Sequence, residues 1–192
     1  AEDFLTEYIY DEQGNMLTQR DALLRETKYE YDLLDRRVKR ILPEGEEELL
    51  TYDNVGNLTA KTDFNGYTTT LTYDLLNRLE SINADTTHPS LSLTHVASSF
   101  EYAYDLNGNK VSSVVKNTAG TTLSDEAWVY DARDRAVTHT QSNGELSYTY
   151  DAASNIESVS SDSSYGTSYS YDVLSRLETA NGTSYTYDAV GS

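Results

Sequence analysis

Residues 49–74 read LLTYDNVGNLTAKTDFNGYTTTLTYD. Leu50 and Tyr52 flank Thr51, and Leu71 and Tyr73 flank Thr72. This alternation, large then small, has the period of two that predicts a strand with one large-residue face. Each such strand stops at Tyr-Asp. The Val-Gly-Asn after Asp53 and the Asn65-Gly66 pair have the residue types that tight turns require. The stretch is therefore expected to be a strand to Asp53, a turn through Asn57, a strand to Asp63, a turn at Asn65-Gly66 and a strand to Asp74.

The Tyr-Asp pair recurs nine times, as Tyr10-Asp11, Tyr31-Asp32, Tyr52-Asp53, Tyr73-Asp74, Tyr104-Asp105, Tyr130-Asp131, Tyr150-Asp151, Tyr171-Asp172 and Tyr187-Asp188. The spacings are 21, 21, 21, 31, 26, 20, 21 and 16 residues, a base period of 21 with insertions and one deletion. A fixed period of this length marks a repeat architecture. Two residues before the tyrosines stand Tyr8, Tyr29, Leu50, Leu71, Tyr102, Trp128, Tyr148, Tyr169 and Tyr185, all large. Four residues after them stand Gly14, Asp35, Gly56, Asn77, Gly108, Asp134, Ser154 and Ser175, most of which tolerate a left-handed backbone or favour turns. The aspartate itself can accept a backbone N–H two residues on. Five residues after the tyrosines the identity alternates as Asn15, Arg36, Asn57, Arg78, Asn109, Arg135, Asn155 and Arg176. One explanation is that each arginine reaches a carboxylate in an adjacent repeat, since a guanidinium suits bidentate pairing. The other is descent from a duplicated double repeat.

Asn65-Gly66, Asn143-Gly144 and Asn181-Gly182 are expected as hairpin turns, whereas Asn107-Gly108 falls inside a Tyr-Asp turn. Only residues 18–30 suggest a helix, through the run Arg20, Ala22, Leu23, Leu24, Arg25 and Glu26, and the repeat context predicts strand there nonetheless. The stretch from Asn83 to Ala97, with Pro89, is expected as an extended loop or longer hairpin. The predicted fold class is all-β: tandem antiparallel hairpins in a curled, elongated sheet, with residues 1–192 as one array.

The net charge is −18, from 32 acidic and 14 basic residues, which opposes binding to nucleic acid, anionic lipid or sulfated polysaccharide. No apolar run approaches the ~18 residues of a membrane helix. The absence of cysteine excludes a disulfide framework and a thiolate metal site, and fits an exported bacterial protein. Tyrosine, at 17 residues against 3 Phe and 1 Trp, supplies contact area while its hydroxyl is expected to stay hydrated.

Segments such as Tyr52-Asp53-Asn54-Val55-Gly56-Asn57-Leu58 and Tyr73-Asp74-Leu75-Leu76-Asn77-Arg78-Leu79 resemble the repeats of the Rhs/YD-repeat family, and the resemblance extends over essentially the whole chain. That family includes bacterial Rhs toxins, the B and C components of Tc toxins, wall-associated proteins and teneurins. The resemblance implies a spiralling antiparallel sheet that forms part of a hollow shell, enclosing a toxic domain in the toxin branch. It also implies an extracellular or cell-surface location and, as partners, the remainder of a parent protein and a toxin cargo. The Asp-Pro-x-Gly autoproteolysis motif of the toxin branch has no counterpart, since Pro43 follows Leu42 and Pro89 follows His88. The last residues, through Gly191-Ser192, fall in mid-repeat, so the chain is expected to be a fragment of a longer protein.

Catalytic and cofactor motifs are absent from the sequence. His88, His95 and His139 form no zinc-type spacing, and no Gly-x-Ser-x-Gly elbow occurs. Asp105-Leu106-Asn107-Gly108-Asn109 resembles the start of a calcium loop but lacks the closing glutamate, and an ordinary turn explains it equally. Asn57-Leu58-Thr59 and Asn181-Gly182-Thr183 match a glycosylation sequon that turn chemistry also explains. A neutral glycan is the candidate ligand, stacking on Tyr102, Trp128, Tyr148 or Tyr169 if their rings are open. The competing structural use of those rings is a cross-strand ladder, each pair contributing roughly 0.2–1 kcal/mol. Unpaired sheet edges predict self-association.

Overall fold

The computed structural model describes residues 5–85, 97–162 and 165–188, and every regular element among them is a β-strand. The chain forms two compact units, Ala1–Phe100 with Lys116–Thr121, and Glu101–Val115 with Thr122–Ser192.

In the first unit β1 (Glu7–Tyr10), β2 (Met16–Arg20), β3 (Glu26–Tyr31), β4 (Arg37–Ile41), β5 (Glu47–Tyr52), β6 (Leu58–Thr62), β7 (Thr68–Tyr73) and β8 (Leu79–Ala84) pair antiparallel, each with the next. β9 (Ala97–Tyr104) pairs with β10 (Lys110–Asn117). In the second unit β11 (Thr122–Tyr130), β12 (Ala136–Gln141), β13 (Gly144–Tyr150), β14 (Ile156–Ser161), β15 (Gly166–Tyr171), β16 (Leu177–Ala180) and β17 (Thr183–Ser184) continue the same meander. The tandem hairpins expected from the repeat are therefore present.

Each odd-numbered strand from β1 to β15 ends on the tyrosine of a Tyr-Asp pair. The chain then reverses in a five-residue loop. The Asp53 N–H donates to the Asn57 carbonyl at 2.9 Å and the Gly56 N–H to the Asp53 carbonyl at 3.3 Å, a pattern repeated at all eight such turns. The residue four after each tyrosine has positive φ, from 57° at Asp35 to 101° at Gly56. A type I turn followed by a left-handed residue is the three-residue hairpin loop with a bulge. The bulge is visible in the pairing: Thr51 opposes Ala60, but Tyr52 opposes Leu58.

Residues 20–26, with their helix formers, belong to this scheme as strand, turn and strand. β2 ends at Arg20, Asp21–Arg25 forms a five-residue turn, and β3 starts at Glu26. Sheet pairing on both sides outweighs a propensity of a few tenths of a kcal/mol per residue. Asn65-Gly66 lies in a five-residue turn and Asn181-Gly182 closes a two-residue hairpin, while the turn expected at Asn143-Gly144 is shifted by one residue: Ser142-Asn143 forms it and Gly144 begins β13, paired with Gln141. The expected loop around Pro89 lies mostly at 86–96, outside the described residues, with β8 and β9 on either side.

The sheet has almost no interior. Among the described residues Tyr29 is the one hydrophobic side chain that counts as buried, and none is fully buried. One face carries the half-buried aromatic and charged side chains. The other is rich in threonine and serine, with hydroxyl pairs Thr72–Ser81 at 2.8 Å, Thr149–Ser158 at 2.7 Å and Ser170–Thr179 at 2.8 Å. Stability must come from the backbone ladders and from side-chain networks, since there is little apolar burial to supply it.

Candidate functional site

The aspartate of each Tyr-Asp pair organises its turn. Asp53 Oδ1 accepts the N–H of Val55 at 3.0 Å and of Asn57 at 2.8 Å, and its Oδ2 accepts the Asn57 side-chain amide at 2.9 Å. Asp74 does the same with the N–H groups of Leu76 and Arg78, but there the Oδ2 accepts Arg78 Nε at 2.7 Å. Asn and Arg at this position thus fill one role: both donate to the same carboxylate oxygen four residues back. These donors favour the ionised acid. Asp131 is held at about 2, from an ordinary 3.8, first by the Arg135 side chain, with desolvation opposing and the N–H groups of Arg135 and Arg133 adding to it.

The alternation has its meaning in the contacts made with the next turn. Asparagine donates to the left-handed residue one repeat on: Asn15 to Asp35 at 2.9 Å, Asn57 to Asn77 at 3.0 Å, Asn109 to Asp134 at 2.8 Å and Asn155 to Ser175 at 3.3 Å. Arginine lies over the next tyrosine: Arg36 on Tyr52 at 4.8 Å, Arg135 on Tyr150 at 4.3 Å and Arg176 on Tyr187 at 4.6 Å. Arg36 also donates to the Asp53 carbonyl at 2.9 Å. The expectation that these arginines pair with a carboxylate in an adjacent repeat is corrected. Their ion pairs are with the aspartate of their own turn, for example Arg36 with Asp32 at 2.7 Å, because the tight loop brings residue i+4 beside residue i. What crosses to the next repeat is a cation–π contact, joined by a hydrogen bond from Arg36 to the Asp53 carbonyl and from Arg135 to the Ser154 hydroxyl.

The tyrosines fasten in the opposite direction. Tyr31 donates its hydroxyl to the Met16 carbonyl at 3.1 Å, Tyr52 to Arg37 at 3.0 Å, Tyr73 to Leu58 at 3.0 Å, Tyr130 to Lys110 at 3.0 Å, Tyr150 to Ala136 at 2.7 Å and Tyr187 to Leu177 at 2.8 Å. Each acceptor is the first residue of the preceding return strand. These hydroxyls were expected to stay hydrated. They are instead bonded to the protein, because the bulge turns a backbone carbonyl towards the ring of the following strand.

Of the candidate ligand-binding rings, Tyr102 stands on β9, Trp128 on β11, Tyr148 on β13 and Tyr169 on β15, all half-buried. Trp128 stacks on His139, its register partner, with centroids 4.8 Å apart and planes 10° apart. Lys110 approaches Trp128 from the neighbouring strand at 4.6 Å and Tyr102 at 5.8 Å. Tyr148 lies opposite Val159, and Tyr169 opposite Ala180. Among the described residues no two of the four rings stack on one another. A return strand separates them, so successive rings are two strand spacings apart, about 9.6 Å. Lys110, His139 and Glu126 were not anticipated. His139 lies 3.1 Å from Glu126. The signal was available for His139, which follows Trp128 by the eleven residues that the bulged loop imposes on opposed positions.

Asp105 in the calcium-like stretch binds the N–H groups of Asn107 and Asn109 and the Asn109 amide, as the other turns do. His88 and His95 lie outside the described residues.

Residues 10–47 and 52–88 match the RHS Repeat family. No curated protein sequence matches the chain. Among solved structures, the chain is similar to TcdB2-TccC3 without its hypervariable C-terminal region, at 22% identity and a TM-score of 0.64 over 93% of this chain and 10% of that one. TcdB2-TccC3-Cdc42 gives 21% identity and a TM-score of 0.64 over 92% and 10%. The Tc holotoxin pore of Photorhabdus luminescens, with a TccC3 variant, gives 19% identity and a TM-score of 0.60 over 98% and 12%. The chain spans about a tenth of the length of these solved chains, and at such identities the likeness is one of fold. The matched repeats, the recurrence of their residues to Tyr187 and the fold shared with these structures are together consistent with an Rhs/YD-repeat family.

Proposed function

We propose that this chain is a structural scaffold, a wall segment of a YD-repeat shell or surface protein that shields or presents a cargo or partner domain outside a bacterial cell. One observation carries the reading: the Tyr-Asp side chains are spent on fastening. The carboxylate oxygens take N–H groups of their own turn, and tyrosine hydroxyls take a carbonyl of the preceding return strand. Groups so engaged build a sheet and leave little chemistry for a substrate. The single array over residues 1–192 and its place in a longer parent protein are part of this proposal, as are a toxin cargo and the absence of catalysis.

A carbohydrate-binding role requires an open ring face. Trp128 lies between His139 and Lys110, which come from strands on its two sides. This argues against that alternative at the best of its candidate rings. Self-association is supported by β1, where Tyr8, Ile9 and Tyr10 are each more than half exposed. Light scattering at rising concentration tests it, and a constant monomer mass sinks it.

The scaffold reading is tested in the parent protein by deleting one double repeat, such as 31–72. Protease protection of the neighbouring domain should fall while the remaining repeats stay folded by circular dichroism. Unchanged protection overturns shielding.

A further inference from the structure

The first unit holds one arginine with no acceptor. Arg40 lies on β4, with Tyr29 of β3 opposite on one side and Glu48 of β5 opposite on the other. Glu48 is the natural partner, but its carboxylate is already taken. Its Oε2 accepts Arg37 at 3.2 Å and its Oε1 accepts Lys61 at 2.9 Å. Glu48 is only 6% exposed, so a further cation does not reach it from solvent. Arg40 makes no hydrogen bond or ion pair. Its guanidinium lies 5.3 Å from the centre of the Phe64 ring. Its Nε is withdrawn from solvent without a partner, and it is the one such side-chain atom among the described residues. The two terminal nitrogens are therefore not sealed off, and they form the edge that a planar anion can meet.

Local charge points the same way. Arg37, Arg40 and Lys61 stand around Glu48, and with Asp63 acting on Lys61 the cluster still keeps one positive charge in surplus on a chain whose net charge is −18. Nε lies out of a ligand's reach, so what Arg40 offers is the end-on pair of terminal nitrogens with their N–H donors. Phe64 supplies a flat apolar neighbour, and a guanidinium edge matches a carboxylate in geometry. The surrounding negative field weighs twice as heavily on a dianion as on a monoanion.

We propose that Arg40, with Phe64 beside it, is a binding site for a carboxylate brought by a partner, either an acidic side chain of a polypeptide or a free organic acid. The proposal is independent of the scaffold reading, since a wall needs no ligand here.

The test uses the full chain at about 0.15 M salt, where charges beyond about 8 Å are screened. The probe is a blocked glycine–serine peptide carrying one glutamate, read by NMR at the Arg40 NεH and the Phe64 ring. Saturable shifts of these resonances are expected, with none from the glutamine counterpart. Arg40→Met should weaken binding at least tenfold while the melting curve stays cooperative, because Arg40 makes no hydrogen bond or ion pair within the fold. Arg40→Lys keeps the charge and should also weaken it, through loss of the fork. Arg25→Met, on an arginine paired with Asp21, should leave it unchanged. Displacement of the peptide by acetate supports the site and names free carboxylates as competent ligands. Binding that acetate does not displace supports it and names the polypeptide source. No saturable shift, equal binding by the glutamine peptide or by Arg40→Met, or tighter binding of inorganic phosphate than of acetate overturns the proposal.

Discussion

Within each unit the two turn-bearing margins of the sheet are built differently. At the Tyr-Asp margin the distance from aspartate to its Asn or Arg is four residues in all eight turns, and each turn is tied to its neighbours by tyrosine hydroxyls, asparagine amides or stacked arginines. At the opposite margin the loops vary. Asp63–Tyr67 and Asn117–Thr121 are five-residue turns, whereas Gln141 faces Gly144 and Ala180 faces Thr183 across two-residue turns. The two shorter spacings, of 20 and 16 residues, contain these two-residue turns, whereas the 26-residue spacing comes from the longer strands β10 and β11. The difference teaches that a repeat conserves the margin through which it holds its neighbours and tolerates change where a turn serves only its own hairpin.

Acid should produce the largest effect and should fall mainly on the Tyr-Asp margin. Asp11, Asp32, Asp53, Asp74, Asp105, Asp131, Asp151 and Asp172 all have depressed pKa values, against Asp21 and Asp63 on the other margin. A carboxylate with a folded pKa below its unfolded one stabilises fully above the unfolded value, and that stability is lost as pH falls through the folded one. For Asp131 the window runs from 3.8 down to about 2. Amide exchange between pH 4 and 2 should therefore quicken at more of the Tyr-Asp turns than of the opposite ones, and the reverse breaks the comparison. Next in size, Asp53→Ala should lower the melting temperature at least twice as much as Asp63→Ala, because only Asp53 positions an amide that crosses to the next turn, at Asn77. Equal losses would mean that the crossing bonds add nothing.

Much of this margin was legible beforehand. Gly56 and Asn77 announced a left-handed position, and the aspartate announced its turn. The direction of Arg36 was misjudged because loop geometry, not residue type, decides that Asp32 lies closer than any acid of the next repeat. The hydroxyl bond from Tyr52 to Arg37 could not be read, since it depends on which carbonyl a bulge exposes. Arg40 escaped notice for a related reason: nothing in the order of residues says that Glu48 is already shared between two other cations.

Two smaller effects sharpen the contrast. Leu24 sits on the opposite margin at φ 63°, a conformation that costs a non-glycine residue roughly 1–2 kcal/mol. Leu24→Gly should stabilise by about 1 kcal/mol in a denaturant titration, and a loss would show that the leucine side chain contributes there. Tyr52→Phe removes one hydroxyl bond across repeats and should cost about 1 kcal/mol. Tyr165→Phe, on a ring that is 69% exposed, should change nothing measurable.

The strictly sequential pairing of strands has a kinetic corollary. Large β-proteins tend to fold slowly because their partner strands are far apart along the chain. Within each unit the strands meet those made just before them, and among the described residues the longest turn-to-turn hydrogen bond spans 27 residues, from Asn107 to Asp134. The contact order is accordingly low for an all-β chain, and a hairpin emerging from the ribosome finds its template already in place. Growth by accretion, one hairpin at a time, lets such an array lengthen without its folding becoming slower in proportion.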